Sequence, residues 1–160
     1  MILAVKLKPS QRTESSRFSQ VTQPDPDTRI QFSRQMPKTV LVADDNEIIR
    51  REICQAFSRE AEFEVCGEAR HGLDAIEKAH QLKPDLVVLD LCMPVLNGLD
   101  TARVLQAQMP AVPIIMFTLY VDPVIKAELR SAGVAEVVSK GEDISILTQK
   151  ARSLLYRSAA

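Results

Sequence analysis

The chain has no tryptophan, and aromatic residues make up only 4% of its 160 positions. Its core must therefore be aliphatic, built from Val, Leu, Ile and Ala. No apolar run approaches the roughly 20 residues that a helix needs to cross a bilayer. The opening Met1-Ile-Leu-Ala-Val-Lys6 is too short for a secretory h-region, and no small-residue cleavage site follows it. Cysteine is scarce: Cys54, Cys66 and Cys92 are odd in number and show no C-x-x-C spacing. That argues against a disulfide framework or a zinc site and fits a reducing cytoplasm. An excess of either charge is missing too: Lys and Arg number 20 and Asp and Glu 21. A net charge of −1 gives no case for non-specific nucleic-acid binding.

What is present is ordinary in amount and regular in order. Apolar content of 46% and charged content of 26% suit a globular chain, and the length suits one domain. Residues 1–36 stand apart. They hold five serines (Ser10, Ser15, Ser16, Ser19, Ser33), three prolines (Pro9, Pro24, Pro26) and little apolar periodicity, with six basic residues against three acidic. Such a segment buries too little surface to offset its ordering entropy, so the expectation is a flexible tail over 1–36 and a folded domain over 37–160.

From Thr39 a rhythm sets in. Short apolar strands are expected at Thr39–Ala43, Phe63–Gly67, Asp85–Asp90, Pro113–Thr118 and Val134–Ser139. The second is the weakest, with a polar alternate position that suits an edge. Helical periodicity fills the gaps. Ile49, Ile53, Ala56 and Phe57 form one stripe; Leu73, Ile76 and Ala79 form another over 72–82. Over 98–109, Leu99, Ala102 and either Val104 or Leu105 turn inward. Pro123 opens a fourth helix and Gly133 caps it. Leu147, Ala151, Leu154 and Leu155 mark the last helix, over about 143–156. Strict strand–helix alternation implies an α/β fold: a doubly wound, five-stranded parallel sheet with helices on both faces and right-handed crossovers.

The polar residues collect at one place in this scheme. Strand one runs into Asp44-Asp45, strand three into Asp90, strand four into Thr118 and strand five into Lys140. Parallel strands put all these ends at one edge of the sheet. With the order 2-1-3-4-5, strands one and three are neighbours and the switch point lies between them. Three carboxylates so close repel one another and raise each other's pKa. A divalent cation with oxygen ligands is their natural partner; Mg²⁺ binds through one or two carboxylates plus a phosphate. Lys140 adds a positive charge and Thr118 a hydroxyl. Taken singly, each residue has a plainer use: an acid pair at a strand end is commonly a helix N-cap, and a lone Lys is commonly solvated.

Asp44-Asp45, then Asp90-Leu-Cys-Met-Pro94 with Gly98, then Thr118, then Ser139-Lys140 resemble the receiver domain of bacterial two-component response regulators. The resemblance spans about residues 38–157 and implies a flavodoxin-like (βα)5 fold. It implies that Asp90 is the phosphoacceptor, taking a phosphoryl group from a histidine kinase or phosphotransfer protein carrying phosphohistidine. It implies Mg²⁺ as cofactor, ligated by Asp45, Asp90 and the backbone carbonyl of Cys92, with Asp44 holding a metal-bound water. Thr118 and Lys140 then bind phosphoryl oxygens. Phosphorylation is expected to switch a surface of the fourth helix, fifth strand and fifth helix, which also offers a face for a homodimer. The chain is expected to act by binding an output partner, not as an enzyme on other substrates.

Three positions depart from the family pattern. Val137 stands where an aromatic switch residue is frequent, Leu119 where Ala, Ser or Gly is common after the threonine, and Gly141 where proline often follows the lysine. The last feature resembles receivers attached to helix-turn-helix output domains of the nitrate-regulator type. No basic recognition helix is visible in the sequence, so a stand-alone receiver or a fragment of a longer, DNA-binding regulator is expected. Rival readings are weaker. A flavin- or nucleotide-binding protein needs a phosphate-cradling loop after strand one, where Asp44-Asp45 would repel phosphate. An aspartate-nucleophile phosphohydrolase carries Asp-x-Asp, and here the second position is Cys92. A receiver that only docks or dimerises, without phosphorylation, is the third.

Overall fold

A computed structural model describes residues 35–156. The expected tail over 1–36 therefore falls almost wholly outside the described residues. Ten elements alternate: β1 (Lys38–Ala43), α1 (Glu47–Ser58), β2 (Phe63–Ala69), α2 (Gly72–Leu82), β3 (Leu86–Leu89), α3 (Gly98–Gln108), β4 (Ile114–Thr118), α4 (Pro123–Ser131), β5 (Glu136–Ser139) and α5 (Ser145–Leu155). The strands form one parallel sheet in the order β2-β1-β3-β4-β5, as expected.

The period-two geometry of a strand sorts its side chains between two aliphatic cores. Leu41, Ala43, Val87, Leu89, Ile114 and Met116 face one side, where Ala75, Ala79, Ala102, Leu105 and Leu129 from α2, α3 and α4 cover them. Val40, Val42, Leu86, Val88, Ile115 and Phe117 face the other, against Ile53 and Phe57 of α1 and Leu147 and Ala151 of α5. Every residue of β3 and β4 is buried, which is why those strands read as unbroken apolar runs.

Local signals set the helix ends. Asn46, Asn97 and Asp122 cap α1, α3 and α4 by accepting backbone N–H bonds. The acids Asp44, Asp45 and Asp90 are thus not the caps of the helices they precede. Beyond α4, Gly133 takes φ +86°, while its N–H reaches Arg130 and that of Val134 reaches Leu129. This left-handed termination turns the chain into β5.

Three expectations need correction. Leu73 was expected inward but is 53% exposed; Gly72, Ala75 and Ala79 form the buried stripe of α2. β2 runs two residues past Gly67, because a register shift at Val40/Leu41 lets its end stay paired with β1. α5 starts at Ser145, its N–H held by the side chain of Asp143. Of the open pair on α3, Leu105 is buried and Val104 is half-buried.

Candidate phosphoacceptor and cation site

The carboxyl ends of β1 and β3 lie side by side, joined by the Asp90 N–H to the Ala43 carbonyl (2.8 Å). Each strand there gives way to acids. Carboxylate oxygens of Asp44, Asp45 and Asp90 all lie within 4.8 Å of one another. Asp44 is 1% exposed and Asp90 5%, whereas Asp45 is open to water. One deep acid, one flanking acid and one at the rim make a hard, all-oxygen donor set. That chemistry fits Mg²⁺, which prefers carboxylates and keeps some of its water.

β5 delivers the opposite charge. Lys140 Nζ stands 2.6 Å from Asp44 Oδ2 and 3.0 Å from Asp90 Oδ1. Burial works against the ammonium, but its bonds to the two acids prevail and raise its pKa. Burial also pushes the Asp90 carboxyl upward. The pull of Lys140 opposes this, the charge of Asp44 reinforces it, and the net shift is up. Asp90 is thus an ion-paired acid whose burial Lys140 does not fully offset.

Thr118 ends β4, fully buried; its hydroxyl accepts the Tyr120 N–H at 3.2 Å, and its carbonyl accepts the Lys140 N–H at 2.9 Å. Thr118 and Lys140 therefore sit on adjacent strand ends, with the hydroxyl bracing the loop that follows. Cys92 is exposed two residues beyond Asp90. Burial and the Asp90 charge raise its thiol pKa, so it is a poor thiolate. The loop after β3 closes tightly. Gly98 donates to the Leu91 carbonyl at 2.8 Å, and a Cβ on Gly98 would stand 2.1 Å from the Asp90 carbonyl oxygen. Only glycine permits that approach, so Gly98 fixes how Asp90 leaves the strand.

The sequence reading missed two members of the surroundings. Arg50, on α1, donates from Nη1 to the Asp44 carbonyl (2.9 Å) and from Nε to Glu68 (2.8 Å). Asn46 caps α1 and also gives its N–H to Asp44 Oδ1 (2.9 Å). Arg50 had a signal: it lies three residues before Ile53 and seven before Phe57, a charge on the inward stripe.

The geometry is that of a doubly wound α/β domain with a lysine-paired acid trio at its switch point. The family model described as the response regulator receiver domain matches residues 40–152. The chain belongs to that family. It is 33% identical over 117 residues to response regulator protein VraR of Staphylococcus saprophyticus, a match covering 73% of this chain and 56% of the relative. It is 38% identical over 121 residues to protein-glutamate methylesterase/protein-glutamine glutaminase 1 of Vibrio vulnificus, covering 74% and 32%. The chain thus spans about half of one relative's length and about a third of the other's. Among solved structures, the response regulator domain of Thermotoga maritima CheB superposes with a TM-score of 0.72 at 25% identity, covering 77% of this chain and 99% of that one. The REC domain of AraT, a response regulator from Geobacillus stearothermophilus, gives 0.69 at 28% identity, covering 76% and 95%. Among the described residues, no helix is long and apolar enough to cross a membrane.

Proposed function

We propose that the chain is the phosphoacceptor of a phosphorelay, with Asp90 taking a phosphoryl group from a phosphohistidine donor in a magnesium-dependent reaction. The observation that carries this reading is the double contact of Lys140 with Asp44 and Asp90 beside the open carboxylate of Asp45. A carboxylate is a weak nucleophile toward phosphorus, and the transition state is loose, so positioning and charge neutralisation do most of the work. An Asp90 oxygen attacks phosphorus as the donor's N–P bond breaks; the imidazole nitrogen keeps the bonding pair and picks up a proton from water. Asp45, Asp90 and the Cys92 carbonyl would hold Mg²⁺, with Asp44 completing the set through water. The ion supplies neutralisation of the phosphoryl oxygens. Lys140 pairs with one of those oxygens, and Thr118 donates its hydroxyl to another.

The product replaces one negative charge on Asp90 with about two, a net gain of about one, in a pocket that is already acidic. The new oxygens accept the Thr118 O–H while the Thr118 oxygen goes on accepting the Tyr120 N–H, so a shift of the hydroxyl toward the phosphoryl group draws the loop after β4 with it. Through that loop the surface formed by α4, β5 and α5 changes its preference for an output partner or for a second copy of the chain. In this reading the protein turns over no separate substrate; it loses its own phosphoryl group slowly to water. The donor is a histidine kinase or phosphotransfer protein, and the relay runs in the cytoplasm.

The test is labelling with acetyl phosphate and Mg²⁺, followed by intact-mass spectrometry. Wild type gains one phosphoryl adduct, and Asp90→Asn gains none. A wild type that stays unlabelled overturns the reading and favours a module that docks or dimerises without phosphorylation.

A further inference from the structure

Arg50 is the least expected residue near the site. It is only 5% exposed, although it belongs to a helix with a broad solvent face. Its guanidinium joins three segments. Nη1 holds the backbone carbonyl of Asp44 (2.9 Å), and Nε holds Glu68 on β2 (2.8 Å). The neighbour of Glu68, Ala69, accepts the Asp44 N–H (3.1 Å). One side chain therefore clamps the turn that presents Asp44 and Asp45 against both α1 and the end of β2.

Stability alone is a poor reason for this placement. Taking a guanidinium out of water is costly, and an apolar side chain of similar length often serves as well. The local charge count suggests another reason. Lys140 pairs with Asp44 and Asp90 and Arg50 pairs with Glu68, while Asp45 stands beside them: four negative charges against two positive, an excess that one divalent cation would match.

We infer that Arg50 is a positioning residue that fixes the Asp44–Asp45 turn so that the acid trio is arranged for a divalent cation before the cation arrives. This rests on the magnesium reading above. Prearranged ligands spare the binding step the cost of ordering them. The sign of the effect separates this role from a simple electrostatic one. A positive charge near the trio repels Mg²⁺, so if Arg50 mattered only as charge, its removal would tighten binding. If it acts as a clamp, its removal weakens binding.

The experiment is calorimetric titration of the 160-residue chain with Mg²⁺ alone, using wild type, Arg50→Gln and Arg50→Lys. Circular dichroism first shows each to be folded at the titration temperature. Arg50→Gln is expected to bind about 10- to 100-fold more weakly, the range typical of removing a residue that supports metal ligands. Arg50→Lys keeps the charge but replaces the planar, two-nitrogen fork with a single ammonium on a flexible stem, which holds the Asp44 carbonyl and Glu68 less rigidly. It too binds measurably more weakly than wild type. A folded Arg50→Gln with wild-type or tighter affinity overturns the inference. Should that variant fail to fold, an Arg50→Lys with wild-type affinity overturns it equally. A wild type that takes up no Mg²⁺ overturns the magnesium reading and this inference together; binding by wild type and variants alike overturns this inference alone.

Discussion

Replacing Lys140 with methionine removes the cation that bridges Asp44 and Asp90 while keeping most of its apolar stem. Its contacts are 2.6 and 3.0 Å, and its side chain is 11% exposed, against 1% and 6% for the two acids. With an effective dielectric of about 20, each pair represents a gross attraction of roughly 5.5–6.5 kcal/mol. Desolvation of all three groups cancels much of this. What the variant then carries is two buried carboxylates facing each other and Asp45 without a counter-charge, a situation that costs about 3–5 kcal/mol. Urea unfolding at neutral pH with a chelator present measures that loss. Added Mg²⁺ narrows it, because the ion takes over the neutralisation and no longer competes with the ammonium. A ligand at about 100 times its Kd contributes roughly 2.7 kcal/mol to the folded state. Acid narrows the gap as well. Burial already raises the Asp90 carboxyl, with Lys140 pulling against it; without Lys140 it rises further. An acid whose folded pKa exceeds its unfolded one binds more protons when folded, so the variant gains stability as pH falls through that range. A chelated variant within about 1 kcal/mol of wild type, as expected for a surface ion pair, would refute the reasoning.

Other expectations follow from single residues. Val95 sits at φ +68° and is 72% exposed, so a β-branched side chain bears a left-handed backbone with little packing in return. Val95→Asn is expected to raise stability by about 1 kcal/mol, read as a shift of the urea midpoint at constant slope; an unmoved midpoint removes the strain argument. Asp85 accepts bonds from the Thr39 N–H (2.9 Å), the Thr39 hydroxyl (3.1 Å) and Lys38 (3.2 Å). Burial pushes its carboxyl upward, but those bonds outweigh it and hold the pKa below the usual value. Its contribution is present above the unfolded pKa and lost as pH falls through the folded one. Because the side chain is 37% exposed, it is worth no more than about 1 kcal/mol. Asp85→Asn should flatten the acid limb of the stability curve, and an unchanged limb counts against the assignment. Leu119 is 68% exposed immediately after Thr118, where a small residue would leave more room for water. On the phosphoacceptor reading, Leu119→Ala shortens the lifetime of phosphorylated Asp90 severalfold, followed by intact mass; an equal lifetime excludes Leu119 as a shield.

The sheet and its order were legible because burial on both faces leaves strands such as Leu86–Leu89 and Ile114–Thr118 with no polar position until the strand ends. That same rule exposed the site: Asp44, Asp90 and Thr118 are each the first polar residue after an apolar run, and Asp45 and Lys140 come one position behind the first. Helix orientation was less legible. On α2 the eye follows Leu73, yet the small residues Gly72, Ala75 and Ala79 face inward, because α2 packs closely enough for the Gly72 N–H to reach the Leu96 carbonyl at 3.1 Å. Side-chain size on a helix reports burial poorly where two elements nearly touch. Arg50 escaped for the opposite reason. A charged residue on an apolar stripe is usually taken as a boundary of the stripe, and its partners here are a backbone carbonyl and a glutamate 18 positions away.

The contacts around Asp44 divide the labour within the acid pair. Its Oδ2 is held by Lys140, its Oδ1 by the Asn46 N–H, its carbonyl by Arg50, and its own N–H by Ala69. Every polar group of the residue is committed, and almost none of it meets water. Asp45 stands next in sequence with an open carboxylate. An incoming cation can reach Asp45 directly, whereas the Asp44 oxygens already accept from Lys140 and Asn46 and are almost wholly shielded from water. The fold thus makes the two neighbours unequal: one is part of the frame and the other is available. On the magnesium reading, that asymmetry supports the indirect, water-mediated role that the family resemblance implies for Asp44.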